Sequence, residues 1–112
     1  MNQKNMNQEK NEWVDAGPAA DVPEEDILER VLEDRIVALY KLNGQIHATD
    51  GLCSHEAVRL CMGLVDGDTI ECPKHNARFH IPTGKALRRP AKTDIRVYPV
   101  RIDSGRVYLR FR

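Results

Sequence analysis

Two short motifs constrain this chain more than any other feature: Cys53-Ser54-His55 and Cys72-Pro73-Lys74-His75. Each sets one thiol beside one imidazole within a few residues, and sixteen residues lie between His55 and Cys72. Each follows a predicted strand end, Gly51-Leu52 before the first and Ile70-Glu71 before the second. Two hairpin-like loops of this kind can converge on one metal centre, so the fold has to bring two loop tips together. The third cysteine, Cys61, makes the count odd, which excludes full internal disulfide pairing. Thiols beside histidines suit a reducing, cytoplasmic compartment in which thiolates serve as metal ligands.

The distribution of ligand types separates the possible metals. A structural zinc site accepts two cysteines and two histidines, but the usual finger places both cysteines in one turn and both histidines in another. Here each loop carries one of each. That suits a two-iron cluster with both cysteines on one iron and both histidines on the other. Cys53, His55, Cys72 and His75 are therefore the expected ligands of one [2Fe–2S] cluster, with a zinc-binding structural module as the alternative. Cys61 lies six residues beyond His55 and has no histidine partner, so it reads as a thiol filling a small gap. His47 and His80 also lack a metal-binding partner at suitable spacing.

The rest of the chain reads as short strands punctuated by turns. Ile36 to Leu42 is apolar and β-branched, Asn43-Gly44 is a strong hairpin turn, and Gln45 to Ala48 returns. Leu64-Val65 with Thr69 to Glu71, Ala77 to Ile81 with Lys85 to Leu87, and Val100 to Ile102 with Val107 to Phe111 repeat the pattern. Trp13 to Ala16 and Ile95 to Tyr98 are further predicted strands. Ile27 to Glu33 has apolar residues at 27, 28, 31 and 32, closer to helical spacing, yet Pro23 before it and Glu33-Asp34-Arg35 after it favour a strand. Such spacing indicates an all-β sandwich or barrel. Trp13, Tyr40, Phe79, Tyr98, Tyr108 and Phe111 are expected in the core or on sheet faces.

At 112 residues there is room for one small domain. Residues 1–11 are rich in Asn, Gln and Lys and read as a disordered arm, leaving 12–112 as the domain. Charged residues make up 30% of the chain and cancel to zero, which lacks the basic excess of a nucleic-acid binder. No apolar run approaches the roughly 18 residues of a membrane span, and the N-terminus has no apolar stretch of the secretory type.

The chain resembles the Rieske ferredoxins of bacterial multicomponent aromatic-ring dioxygenases over about residues 13–111. The resemblance rests on Cys53-Ser54-His55, Gly63, Asp66-Gly67-Asp68, Glu71-Cys72-Pro73-Lys74-His75, Arg78-Phe79 and Thr83-Gly84-Lys85. It implies an antiparallel β-sandwich with a small cluster-binding subdomain at about 50–86, and a third loop at Arg88-Arg89-Pro90-Ala91 covering the cluster. It implies a cytoplasmic, monomeric electron carrier, not itself an enzyme. The carrier would take electrons from an NAD(P)H-dependent flavin reductase and hand them to a terminal oxygenase, with His55 and His75 as the exit. The small subunit of an NAD(P)H nitrite reductase, which shares the fold, is the alternative.

Departures from the high-potential Rieske proteins of cytochrome bc complexes are equally informative. Those carry a disulfide between the ligand loops at the positions of Val58 and Lys74, and hydroxyl donors at those of Ala77 and Phe79. Donors near cluster sulfur stabilise the reduced state. Without them the expected potential lies at the low end of the Rieske range, roughly −150 mV. Val58, Leu60 and Met62 make the first loop apolar, either as a docking patch or as packing beneath the loop.

Overall fold

The computed structural model describes residues 12–54, 57–74, 76–89 and 93–111. The arm expected at 1–11 lies outside them. Within them the regular structure is antiparallel strand apart from two single 3-10 turns, as the turn spacing implies: β1 (Trp13–Pro18), β2 (Ile27–Leu32), β3 (Arg35–Leu42), β4 (Gln45–Asp50), β5 (Leu64–Asp66), β6 (Thr69–Glu71), β7 (Arg78–His80), β8 (Ala86–Arg88), β9 (Val100–Asp103) and β10 (Arg106–Arg110). They form three sheets, ordered β1-β10-β9, β2-β3-β4 and β5-β6-β7-β8. Asn43-Gly44 joins β3 to β4 with positive φ at both residues, the turn whose twist matches a two-residue hairpin.

The β2-β3-β4 sheet is the middle layer, and the sequence of β3 shows why. Val37 and Leu39 point into a core shared with Ala16, Val107 and Leu109 of the first sheet and with Phe111 just beyond it. Ala38, Tyr40 and Leu42 point the other way, into a core shared with Ile70 and Phe79 of the third and with Ile81 just after β7. A strand buried on both faces has no polar side to show, so it reads as a continuous apolar run. The same geometry explains β2. Ile27 packs on one core and Leu28 and Leu32 on the other, which breaks simple alternation while the segment pairs with β3 along its whole length. A buried polar pair in the middle, the Tyr40 and Thr49 hydroxyls, is bonded at 2.8 Å.

The strand expected at Ile95 to Tyr98 does not form. The segment makes a single bridge, Val97 to Thr49 of β4. Around that bridge the Asp50 N–H donates to the Arg96 carbonyl and the Tyr98 N–H to the Ala48 carbonyl, but the Arg96 N–H turns to the Asp50 carboxylate and Pro99 has no N–H to give, so the ladder goes no further. At its other end the Ile95 N–H donates to the Gly84 carbonyl, so these residues cross from the middle sheet to the third.

Candidate metal centre

Both ligand motifs leave a strand and turn at once. Cys53 follows β4, and its N–H donates to the Val58 carbonyl at 2.9 Å. Cys72 follows β6, and its N–H donates to the Ala77 carbonyl at 2.7 Å. Each cysteine thus closes its own loop through the carbonyl five residues on, and the histidine of each motif falls inside the loop so closed. Both cysteine side chains enter the same apolar cluster, with Leu60, Ile70, Ala77 and Phe79 around them, at 4% and 1% exposure. His55 and His75 lie outside the described residues, as do Pro90 and Ala91 of the expected third loop.

The loops are braced differently. The first is pinned by the Leu52–Arg59 bridge and by Leu60 N–H donating to the Gly51 carbonyl. Ser54 Oγ donates to the Thr93 carbonyl, and Arg59 Nε lies 3.4 Å from Glu29 Oε1 on β2. The second sits on the β6–β7 hairpin, where Glu71 and Arg78 are register partners. Arg78 Nη2 donates to Glu71 Oε1 at 2.8 Å and Nη1 to Thr69 Oγ1 at 3.1 Å. Gly63 lies against this hairpin: a Cβ there would come within 2.0 Å of the Glu71 carbonyl oxygen. At the end of β4, Tyr98 Oη donates to Asp50 Oδ1 at 2.5 Å, and burial followed by the Asp50 carboxylate pushes the Tyr98 phenol up.

The remaining candidates fall away from this centre. Cys61 donates from Sγ to Glu29 Oε1 at 3.2 Å; burial, then Glu29, pushes its thiol up and away from the thiolate a metal needs. His80 has both ring nitrogens engaged in its own sheet, with Thr83 Oγ1 at 2.8 Å and Asp68 Oδ2 at 2.9 Å. His47 is half-buried on β4, and burial, then nearby His80, pushes its pKa down. Tyr40, Phe79, Tyr98 and Phe111 are buried, as expected of core residues, while Trp13 and Tyr108 are half-buried. Of Val58, Leu60 and Met62 in the first loop, Leu60 is fully buried and Val58 packs on the core, while Met62, at 72% exposure, remains available as a surface apolar group.

The donor set fits an iron–sulfur group. Two soft sulfur ligands, shielded from water in one apolar pocket, are what such a group needs and what a bare thiolate pair would not tolerate. Sequence reasoning missed the braces, Glu71–Arg78, Glu29–Arg59 and Ser54–Thr93. Only the first left a signal, as a charge pair flanking the second motif at hairpin register.

Residues 12–99 match the family model described as the Rieske [2Fe-2S] domain. The chain is 45% identical over 98 residues to the ferredoxin component of naphthalene 1,2-dioxygenase/salicylate 5-hydroxylase systems from a Ralstonia species, covering 88% of this chain and 94% of that one. The solved ferredoxin of Sphingomonas yanoikuyae B1 superposes with a TM-score of 0.82 at 31% identity, covering 89% and 99% of the two chains. A chain from the solved complex of reduced oxygenase and oxidised ferredoxin in carbazole 1,9a-dioxygenase gives 0.80 at 32% identity, over 88% and 92%.

Proposed function

The chain belongs to the Rieske [2Fe–2S] domain family, and from that premise we propose that it shuttles single electrons from an NAD(P)H-dependent flavin reductase to a terminal oxygenase in aromatic-compound degradation. Family membership brings one Rieske [2Fe–2S] cluster and decides against the zinc module. The protein is a carrier component, not the catalytic one, like the ferredoxin components it matches. These relatives lend no support to the nitrite reductase alternative.

The observation that carries the ligand reading is the equivalence of the two cysteine loops, each closed five residues on and each sending its thiol into one pocket. On this reading Cys53 and Cys72 bind one iron, and His55 and His75, assigned from their motifs, bind the other. Residues 50–86 then serve as the cluster-binding subdomain. The cluster, when bound, supplies a one-electron couple.

The protein's own residues set the conditions for that couple. Leu60, Ile70 and Phe79 keep water from the sulfur side. Ala77 and Phe79 are fully buried beside Cys72 and bring no side-chain hydroxyl to it, which favours a potential near the low end of the Rieske range, roughly −150 mV. Val58 and Lys74 leave the loops without a disulfide between those positions. Among the described residues no helix is long and apolar enough to cross a membrane. With thiolate ligands that need reducing conditions, the cytoplasm is the compartment we assign, and we read the carrier as a monomer.

Reconstitution tests the function. Reductase, this protein and a dioxygenase oxygenase should yield hydroxylated product only when all three are present. Transfer to a nitrite reductase with no transfer to any oxygenase would overturn the proposal.

A further inference from the structure

Charge is distributed along this neutral chain very unevenly. Residues 12–34 hold nine acidic side chains and one basic, whereas residues 72–102 hold eight basic and one acidic. The basic stretch contains the second cysteine loop, the β7–β8 hairpin and the crossing segment. Some of its cations are engaged within the fold: Arg78 with Glu71, Arg96 with the Phe111 carbonyl, and Arg101 over the Trp13 ring. Arg88 and Arg89 mark its exposed part. Both are exposed at the end of β8, and Arg88 Nη1 lies 3.4 Å from the Asn76 carbonyl, which places it over the second cysteine loop. Lys74 is exposed on that same loop.

Among the described residues, several of the acidic groups nearby are already engaged. Asp94 accepts from the Ala86 N–H at 2.8 Å, and Glu29 pairs with Arg59. Asp34 borders the open groove beside Cys53, and Asp50 is held there by Tyr98. The loop that carries Cys72 therefore faces solvent under a positive rim, and the first loop has carboxylates on its outer flank.

We propose that Lys74, Arg88 and Arg89 form a docking surface for an acidic face on the terminal oxygenase. Resting on the carrier reading above, this deepens it by assigning the sign and position of the contact. Like-signed charges clustered on one face steer that face toward an anionic target before contact, which raises the association rate and makes it fall with salt. A patch that lies over the second ligand loop orients the electron exit at the same time.

Voltammetry on charged monolayers tests this without a partner protein. Holoprotein should exchange electrons faster at a carboxylate-terminated gold electrode than at an ammonium-terminated one, by about tenfold, the low end of steering effects. Arg88→Glu with Arg89→Glu should abolish or invert that ratio, and Arg89→Glu alone should move it the same way. Lys41→Glu with Arg101→Glu makes the same change in net charge away from the patch and should leave the ratio standing. Equal rates on both surfaces, or the same collapse in that control, would overturn the proposal. Dithionite-reducible colour in every variant confirms that the cluster is present; a colourless protein sinks the carrier reading and this inference with it. With an oxygenase that the wild type reduces, the double variant should transfer about tenfold more slowly at low salt and equally at high salt. Unchanged transfer there would overturn the assignment to the oxygenase.

Discussion

The two cysteine loops solve one problem by different means. The second is an ordinary hairpin loop: β6 and β7 are paired through Glu71 and Arg78, and the loop between them inherits the regularity of its sheet. The first has no hairpin of its own and is held from outside, by β2 through Glu29, by the crossing segment through Thr93, and by one bridge at its base. One loop is braced by what flanks it in sequence. The other is braced by what packs on it in space. Disturbing each set of braces should therefore have different consequences.

The largest effect should come from the position where the two loops meet. Gly63→Ala would drive a methyl into the Glu71 carbonyl and displace the strand that delivers Cys72. It should cost about 3 kcal/mol, the upper part of the usual range for overpacking. Chemical denaturation of holoprotein measures this, and wild-type stability in that variant would show that the hairpin yields. Next comes Arg78→Ala, which breaks a largely buried ion pair and should cost about 1–3 kcal/mol. Its counterpart Arg59→Ala removes a mostly exposed cation from the first loop and should cost about 1 kcal/mol or less. If Arg59→Ala proves the costlier, the contrast between the loops is wrong.

The smallest effect concerns His47, on the strand that leads into the first loop. Its folded pKa lies below the ordinary 6.5 because burial, then His80, disfavours the charged ring. Above pH 6.5 both states are neutral and the stability is fully present. As pH falls below that value the unfolded chain takes the proton first, and stability declines until the folded pKa is passed. His47→Gln should flatten the slope of Tm between about pH 7 and 5. An unchanged slope assigns the dependence to other groups.

Most of this was legible in the sequence for a physical reason. Turn chemistry is local, so Asn43-Gly44, Gly67 and Ser104-Gly105 mark their hairpins without help, and the flanking strands follow. The second loop was legible for the same reason, since Thr69-Ile70-Glu71 and Arg78-Phe79-His80 alternate on either side of it. What was not legible is tertiary. Ile95 to Tyr98 alternates like a strand, yet its pairing with β4 stops after two backbone hydrogen bonds, while the Arg96 N–H goes to the Asp50 carboxylate and the Ile95 N–H to the Gly84 carbonyl beyond β7. The braces of the first loop come from residues 29 and 93, far away in the chain, and nothing near Cys53 announces them.

The central claim is that Cys53, His55, Cys72 and His75 hold one [2Fe–2S] cluster. Electron spin-echo spectroscopy of the dithionite-reduced protein, made with nitrogen-15 histidine, tests it most directly. Two histidine nitrogens should couple to the cluster electron, with both couplings intact in the His47→Gln, His80→Gln double variant and one lost in His75→Cys. Absence of histidine nitrogen coupling, or a coupling that disappears with His47 or His80, would contradict the assignment.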